Sequence, residues 1–205
     1  MNAPVESTTP TIPGTPYAGG FFVFRILIDA VLHALILAPK AERTLPAARW
    51  NRNYDNVPGA LSYNDGLANT KAMAEAGSEL AKAALAKEID GHADWYIPAV
   101  DELEMVYRHF KPGTEKNYCW ARSGINQAAI PPTAPYTPDH PGQTAIEDFR
   151  AGGPEAIDVN IYWASTQDAA DSYWAWGQDF GDGGQDHWDK GNEFPALLVR
   201  REPIR

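Results

Sequence analysis

The residues with the clearest chemical potential lie between positions 162 and 188, where aromatic side chains alternate with short polar ones. Four of the seven tryptophans fall in this stretch, among aspartates, glutamines and glycines. Aromatic rings supply contact area at a small cost in conformational entropy, while Asp, Gln and Ser supply adaptable hydrogen bonds. This mixture favours a surface that holds another molecule over one that transforms it.

The aromatic residues of this stretch have two possible environments. Side chains alternate across a strand, so Trp174 and Trp176 should share one face, with Tyr173 on the other. One interpretation buries Trp163, Trp174 and Phe180 in the core, the commoner fate of large aromatics in alternating strands. The other leaves at least two of these rings exposed to a partner. The sequence leaves both open.

An acidic group in the same region raises the question of a metal. Hard cations take several carboxylate and carbonyl oxygens from a flexible loop, and the Gly-Asp-Gly-Gly run at 181–184 could wrap one. The spacing does not match the calcium-loop pattern, which places acids at every second position and closes on a Glu. We favour solvated turns, which Asp stabilises, and predict no metal. The residues concerned are Asp179, Asp182, Asp186, His187 and Asp189.

Catalytic patterns are weak throughout the chain. Asp101 and Glu104 fall at the start of a predicted helix, where acids complement the helix dipole. Ser165 and Thr166 lack the glycine-flanked elbow of a serine hydrolase. Cys119 has no assignable base, and the histidines show no zinc-binding spacing. We therefore predict that the protein is not an enzyme and uses no cofactor.

The composition narrows the class of protein. The 205 residues suit one domain with an arm, or two small units. A net charge of −10 argues against nucleic-acid binding and against association with anionic membranes. A single cysteine excludes an internal disulfide and favours folding in a reducing cytoplasm. Charged residues interrupt the apolar stretch 21–38, so we expect no membrane insertion, and residues 1–16 lack a secretory-signal pattern.

The N-terminal part of the chain divides at residue 20. Residues 1–19 predict an extended Pro/Thr-rich arm, either a disordered tail or a tie to a neighbouring subunit, and residues 20–205 predict a single domain. Polar residues spaced by four would fit a helix at 20–38, but the Phe, Val and Ile content favours strands. We predict a hairpin that turns at Asp29-Ala30 and stops at Pro39.

The rest of the chain predicts helices between two sets of strands. Such an order describes an α+β domain whose terminal strands meet in one sheet. Ser78 is the expected N-cap of the second helix. We predict a loop at 40–62, helices at 65–76, 78–88 and 101–110, a short strand at 94–98, an irregular excursion at 111–143, and strands at 160–166, 172–180, 185–189 and 194–201.

Several separated motifs resemble those of one known family. They are the runs at 62–70, 94–98 with 101–104, 162–167 with 175–176, and 198–201. Together, from about residue 18 to residue 203, they resemble the phage and bacterial domain family named after the C-terminal region of the Legionella collagen-like adhesin. Ala99 departs from the family pattern by removing a capping hydroxyl at a helix start, and Ala30 stands where the first hairpin usually has glycine.

The resemblance implies a C-type-lectin-like domain, as in the receptor-binding proteins diversified by retroelements. Its N- and C-terminal strands would share an antiparallel sheet, with two to three helices and long irregular loops. Trp163, Ser165 and Thr166 would be frame residues that stabilise the site, whose exposed face would run from residue 167 to residue 188. The ligand-binding residues would be Gln167, Asp168, Asp171, Tyr173, Trp174, Trp176, Gln178, Asp179, Asp182, Gln185, His187 and Trp188.

Two functions fit these expectations. The first is a non-enzymatic, phage tail-associated receptor-binding or adhesin module that holds a host cell-surface glycan or protein. The second is a structural or decorating virion subunit whose aromatic residues pack against neighbouring chains. Both place the protein in a virion tail, made in the host cytoplasm, as a homo-oligomer beside other tail or virion proteins.

Overall fold

The computed structural model of the chain describes residues 9–120 and 122–204. This part of the chain holds nine strands in three antiparallel sheets, together with three α-helices, and so confirms the α+β class. The strands are β1 (Pro16–Tyr17), β2 (Gly20–Ile28), β3 (Val31–Leu37), β4 (Thr44–Arg49), β5 (Ile161–Gln167), β6 (Trp174–Asp179), β7 (Gln185–Asp189), β8 (Glu193–Leu197) and β9 (Val199–Pro203), and the helices are α1 (Gly66–Glu75), α2 (Glu79–Leu85) and α3 (Val100–Phe110).

The first sheet joins both ends of the domain in the order β1-β2-β3-β9. The predicted hairpin is confirmed, because β2 pairs with β3 across the turn at Asp29 and Ala30. Both turn residues have positive φ angles, 48° and 62°, which is the type I′ geometry that matches strand twist. β9 pairs with β3, so the terminal strands share a sheet as predicted. Residues 1–8 of the predicted arm lie outside the described residues, whereas β1 pairs with β2.

Three strand predictions need correction. The predicted loop at 40–62 contains β4, which pairs with β8 across a register shift between Leu45 and Ala48. Pro46 lies at this irregularity, where a residue without an N–H is tolerated. The predicted strand at 194–201 is two strands, β8 and β9, in different sheets. The predicted strand at 94–98 is only an isolated bridge between Tyr96 and Val199.

The helices begin at capping groups. Asp65 caps α1 by accepting a hydrogen bond from Ala68 N (2.9 Å), and Ser78 caps α2 by accepting from Ala81 N (3.3 Å), as predicted.

Among the described residues, no helix combines the length and apolar character needed to cross a membrane.

One buried carboxylate serves two helix starts. Ala99 gives α3 no capping oxygen, as predicted, and Glu102 accepts a hydrogen bond from Ala99 N instead (2.8 Å). The same carboxylate accepts from Gly66 N at the start of α1 (3.0 Å) and from the Tyr96 hydroxyl (2.6 Å). Desolvation outweighs these donors and raises the pKa of Glu102 to about 7.

The excursion at 111–143 has no helix or extended strand in its described part, as predicted, but a buried polar network holds it against α3. The Glu104 carboxylate accepts hydrogen bonds from Arg108 Nε (2.8 Å), Asn126 Nδ2 (2.8 Å) and the Tyr136 hydroxyl (3.0 Å). Arg108 also donates to the backbone carbonyls of Gly124 and Ala134. These hydrogen bonds therefore hold the excursion in place beside the C-terminal strands.

Ala30→Gly should stabilise the protein by about 0.5–1 kcal/mol. A left-handed alanine costs roughly 1–2 kcal/mol, and the extra flexibility of an unfolded glycine offsets part of the gain. Urea unfolding checks this. Ala83→Gly, at an exposed position in α2, is the control and should lose about 1 kcal/mol. Equal destabilisation by both changes would show that the turn is not strained.

Glu102→Gln should flatten the dependence of stability on pH. Because the pKa of Glu102 is raised in the folded state, its contribution is fully present below the unfolded value of 4.5 and is lost as pH rises through about 7. The glutamine variant lacks this decline. Urea unfolding between pH 4.5 and 8 measures it, and the exposed Glu193→Gln is the control. An unchanged slope in Glu102→Gln would contradict the assignment.

Candidate ligand-binding surface

The sheet β5-β6-β7 positions the aromatic residues that the sequence singles out. Trp174 and Trp176 lie on the same face of β6, as predicted from strand alternation, and His187 pairs with Trp176 on β7. The imidazole ring lies 5.6 Å from each indole ring, measured between ring centroids. Three rings from two adjacent strands therefore form one cluster.

This cluster extends at both ends into a continuous row. Tyr173 packs against Trp174 (5.8 Å) and stacks on Tyr54, with ring centroids 4.0 Å apart and ring planes 4° apart. At the other end, Tyr63 lies 6.0 Å from Trp176. Tyr54, Tyr173 and His187 are exposed, whereas the remaining three rings are partly buried. We name this set the aromatic row: Tyr54, Tyr173, Trp174, His187, Trp176 and Tyr63.

The loop that carries Tyr54 is fixed by buried polar groups. Gln167 Oε1 accepts hydrogen bonds from Val57 N (2.8 Å) and from Lys190 Nζ (2.7 Å), and Lys190 Nζ also donates to Asp55 O (3.0 Å). Burial lowers the pKa of Lys190 to about 8. The expectation that Gln167 is exposed is wrong, because this side chain holds the loop in place.

The other two predicted glutamines are also buried. They lie on the same face as the tryptophans, but further along the strands, where the excursion covers them. Gln178 Nε2 donates to the Tyr136 hydroxyl (3.2 Å), and Gln185 Nε2 donates to Arg122 O (2.9 Å). Their expected exposure is therefore wrong.

The far end of the row carries a cation. The Arg122 guanidinium lies 5.2 Å from the centroid of the Tyr63 ring and donates to the carboxylate of Asp101 at the start of α3. Arg122 also donates to Gln185 Oε1 (3.3 Å). A ring, a carboxylate and a guanidinium thus meet where the excursion crosses the row.

Most of the predicted aspartates stabilise turns, as the solvated-turn interpretation expects, whereas Asp186 lies within β7. In each case one carboxylate oxygen accepts a nearby backbone N–H, which is typical of Asp in tight turns. Within the described ranges, no group of three or more His, Cys, Asp or Glu side chains could hold a metal ion. The pairs are Asp168 with Ala170 and Asp171, Asp171 with Tyr173, Asp179 with Gly181, Asp182 with Gly184, Asp186 with His187, and Asp189 with Gly191.

Trp188 does not join the aromatic row. It lies on the opposite face of β7, where it packs edge-on against Phe194 (5.9 Å). With Tyr118, Asp179 and Asp182 it lines a separate cleft of about 180 Å³. The predicted site residues therefore divide between the two faces of the sheet.

Three aromatic residues near these surfaces were not predicted as contacts. Tyr54 and Tyr63 come from segments far from the C-terminal strands in sequence, and only the position of Tyr63 inside the 62–70 motif hinted at a role. Trp120, 67% exposed, lies on the excursion beside Asp186 and His187.

The expected frame residues are buried in the core behind the row. Trp163 Nε1 donates to Ala48 O (3.0 Å), which ties β5 to β4. Thr166 Oγ1 accepts from Val100 N (3.2 Å) and Asn69 Nδ2 (3.3 Å), and donates to Ser62 O (2.9 Å). One hydroxyl thus joins β5 to the starts of α1 and α3.

The sheet β5-β6-β7 and the row of rings along it form a surface that is suited to binding. The chain belongs to the family described as Lcl C-terminal domain, which it matches over residues 45–200. The resemblance seen in the sequence is thereby confirmed, and membership indicates an adhesin-type binding module. No curated protein matches the chain.

Thr166→Val should destabilise the protein by about 1–3 kcal/mol. The change leaves the buried Val100 N without its acceptor, which costs about 1–3 kcal/mol, whereas Ser62 O and Asn69 Nδ2 keep the hydrogen bond between them. Guanidinium unfolding measures the loss. Thr44→Val, at an exposed position in β4, should stay within about 0.5 kcal/mol. If both valine variants unfold like the unmodified protein, the Thr166 hydroxyl does not join these elements.

Proposed function

We propose that the protein is a non-enzymatic receptor-binding module of a tailed phage and that the aromatic row contacts the host cell surface. The observation that carries this proposal is the row itself: six rings, each packed against the next and half of them exposed, along the sheet β5-β6-β7. Tryptophan and tyrosine are the residues that most often dominate binding energy at interfaces.

The row is organised before any ligand arrives. Gln167 and Lys190 fix the loop of Tyr54, and short Asp turns fix the ends of β6 and β7. Side chains that are already ordered lose little entropy on binding, so more of the contact energy appears as affinity. This preorganisation supports a binding role.

We also propose that the domain is C-type-lectin-like and acts in a virion tail as one of several copies. The sheet that unites β2, β3 and β9, and the separate sheet β5-β6-β7 that carries the row, support this assignment. A homo-oligomer would multiply weak single contacts with host glycans or proteins into strong attachment. The chain would be made in the host cytoplasm and assembled with other tail proteins.

A structural or decorating role is the second candidate. Tyr118, Trp120 and Ile125 on the excursion are 53%, 67% and 45% exposed, and a neighbouring subunit would bury such apolar surface. Trp120 also lies beside His187, a member of the row, so a substitution at Ile125 tests the structural role separately.

Tyr173→Ala and Trp174→Ala should each weaken binding to cells at least about 10-fold, because each removes a ring from the centre of the row. The assay measures labelled protein on a panel of whole bacteria and on a glycan array. Ile12→Ala, which removes an apolar side chain that is 68% exposed in the N-terminal segment, is the control and should change binding less than about 2-fold.

Two results would contradict receptor binding through the row. One is unchanged binding by both row variants when circular dichroism shows that they fold. The other is the absence of binding to every cell and glycan tested. Loss of self-association in Ile125→Ala with cell binding retained, measured by analytical ultracentrifugation, would support the structural role for the excursion.

A further inference from the structure

The chain shows how the aromatic row holds a positive charge. Arg122 lies over the Tyr63 ring while its guanidinium pairs with Asp101. A guanidinium suits this place because it stacks on an aromatic face and pairs with a carboxylate through fixed N–H donors. At the Tyr63 end, therefore, the row already binds an arginine that belongs to the protein.

The exposed part of the row has aromatic rings next to carboxylates, as at the Tyr63 end. The nearest carboxylates approach His187, where Asp168 Oδ2 is 3.7 Å and Asp186 Oδ1 is 3.8 Å from Nδ1. Asp171 is exposed next to Tyr173. Within residues 9–120 and 122–204, no lysine or arginine forms an ion pair with these three aspartates.

The overall charge reinforces this local pattern. The chain carries a net charge of −10, so its field attracts cations and repels anions. A neutral glycan would gain nothing from that field, and a sulfated glycan would be opposed by it. A cationic side chain gains from both the ring faces and the field.

We propose that the aromatic row binds a protein segment through an arginine or lysine side chain, held over the ring of Trp174 where it meets His187 and the carboxylates of Asp168 and Asp186. The proposal rests on the receptor-binding function proposed above and names the chemistry of the ligand. Arginine should bind better than lysine, because its planar guanidinium can stack as Arg122 does.

The test uses three synthetic seven-residue Gly/Ser peptides that differ only in two central residues: arginine, citrulline or glutamate. Citrulline keeps the shape of arginine without its charge. Titrations of the full chain follow the indole N–H signals of Trp174 and Trp176 by NMR. The arginine peptide should shift these signals and bind at least about 5-fold more tightly than the citrulline peptide, and added salt should weaken it.

Matched variants test the carboxylates. Asp168→Asn with Asp186→Asn keeps side-chain oxygens that can accept the backbone hydrogen bonds but removes two charges. This pair should lose most of the preference for arginine over citrulline. Asp139→Asn with Asp158→Asn removes the same charge at exposed sites outside the row, with side chains 83% and 73% exposed, and should keep that preference.

Equal binding of the arginine and citrulline peptides would overturn the proposal. So would shifts caused by maltohexaose or heparin but not by the arginine peptide, since a glycan would then be the ligand. The cell-binding assay separates this failure from failure of receptor binding. If Trp174→Ala loses cell binding while Asp168→Asn with Asp186→Asn keeps it, the receptor function stands and the cationic ligand does not.

Discussion

Satisfying buried polar groups is the constraint on which the rest of this structure depends. An unpaired polar group away from water costs more than a typical hydrogen bond gains, so buried groups must find partners. Thr166 provides them where β5 meets α1 and α3, and Glu102 provides them where the two helices begin. These contacts set the position of the sheet β5-β6-β7, and hence of the row, relative to the excursion.

The sequence predicts elements whose signal is local. The hairpin β2–β3 follows from dense β-branched and aromatic residues, and α2 follows from its alanines and the cap at Ser78. β4 was missed because Pro46 and its alanines resemble a loop, and its partner β8 is distant in sequence. The run at 194–201 gave no sign of its division, since apolar composition does not reveal which sheet a residue joins.

The same distinction applies to the candidate site. Period-two alternation correctly places Trp174 and Trp176 on one face. It identifies a face but not what covers it. The family resemblance implies that Gln178 and Gln185 are exposed, and this is wrong because the excursion covers them. Tyr54 completes the row only through tertiary contact, which no spacing in the C-terminal strands encodes. Sequence patterns within one strand do not show which site residues are buried by segments that are distant in the sequence.

The two carboxylate oxygens of Asp168 have separate contacts. Oδ1 accepts the turn hydrogen bonds, while Oδ2 lies 3.7 Å from His187 Nδ1. An amide at this position would keep the backbone bonds and lose only the charge. An exchange of Asp for Asn at this position therefore removes one negative charge and leaves the loop geometry intact. Evolution towards a changed binding partner can therefore adjust the charge of this surface by single substitutions, each of which leaves the protein folded.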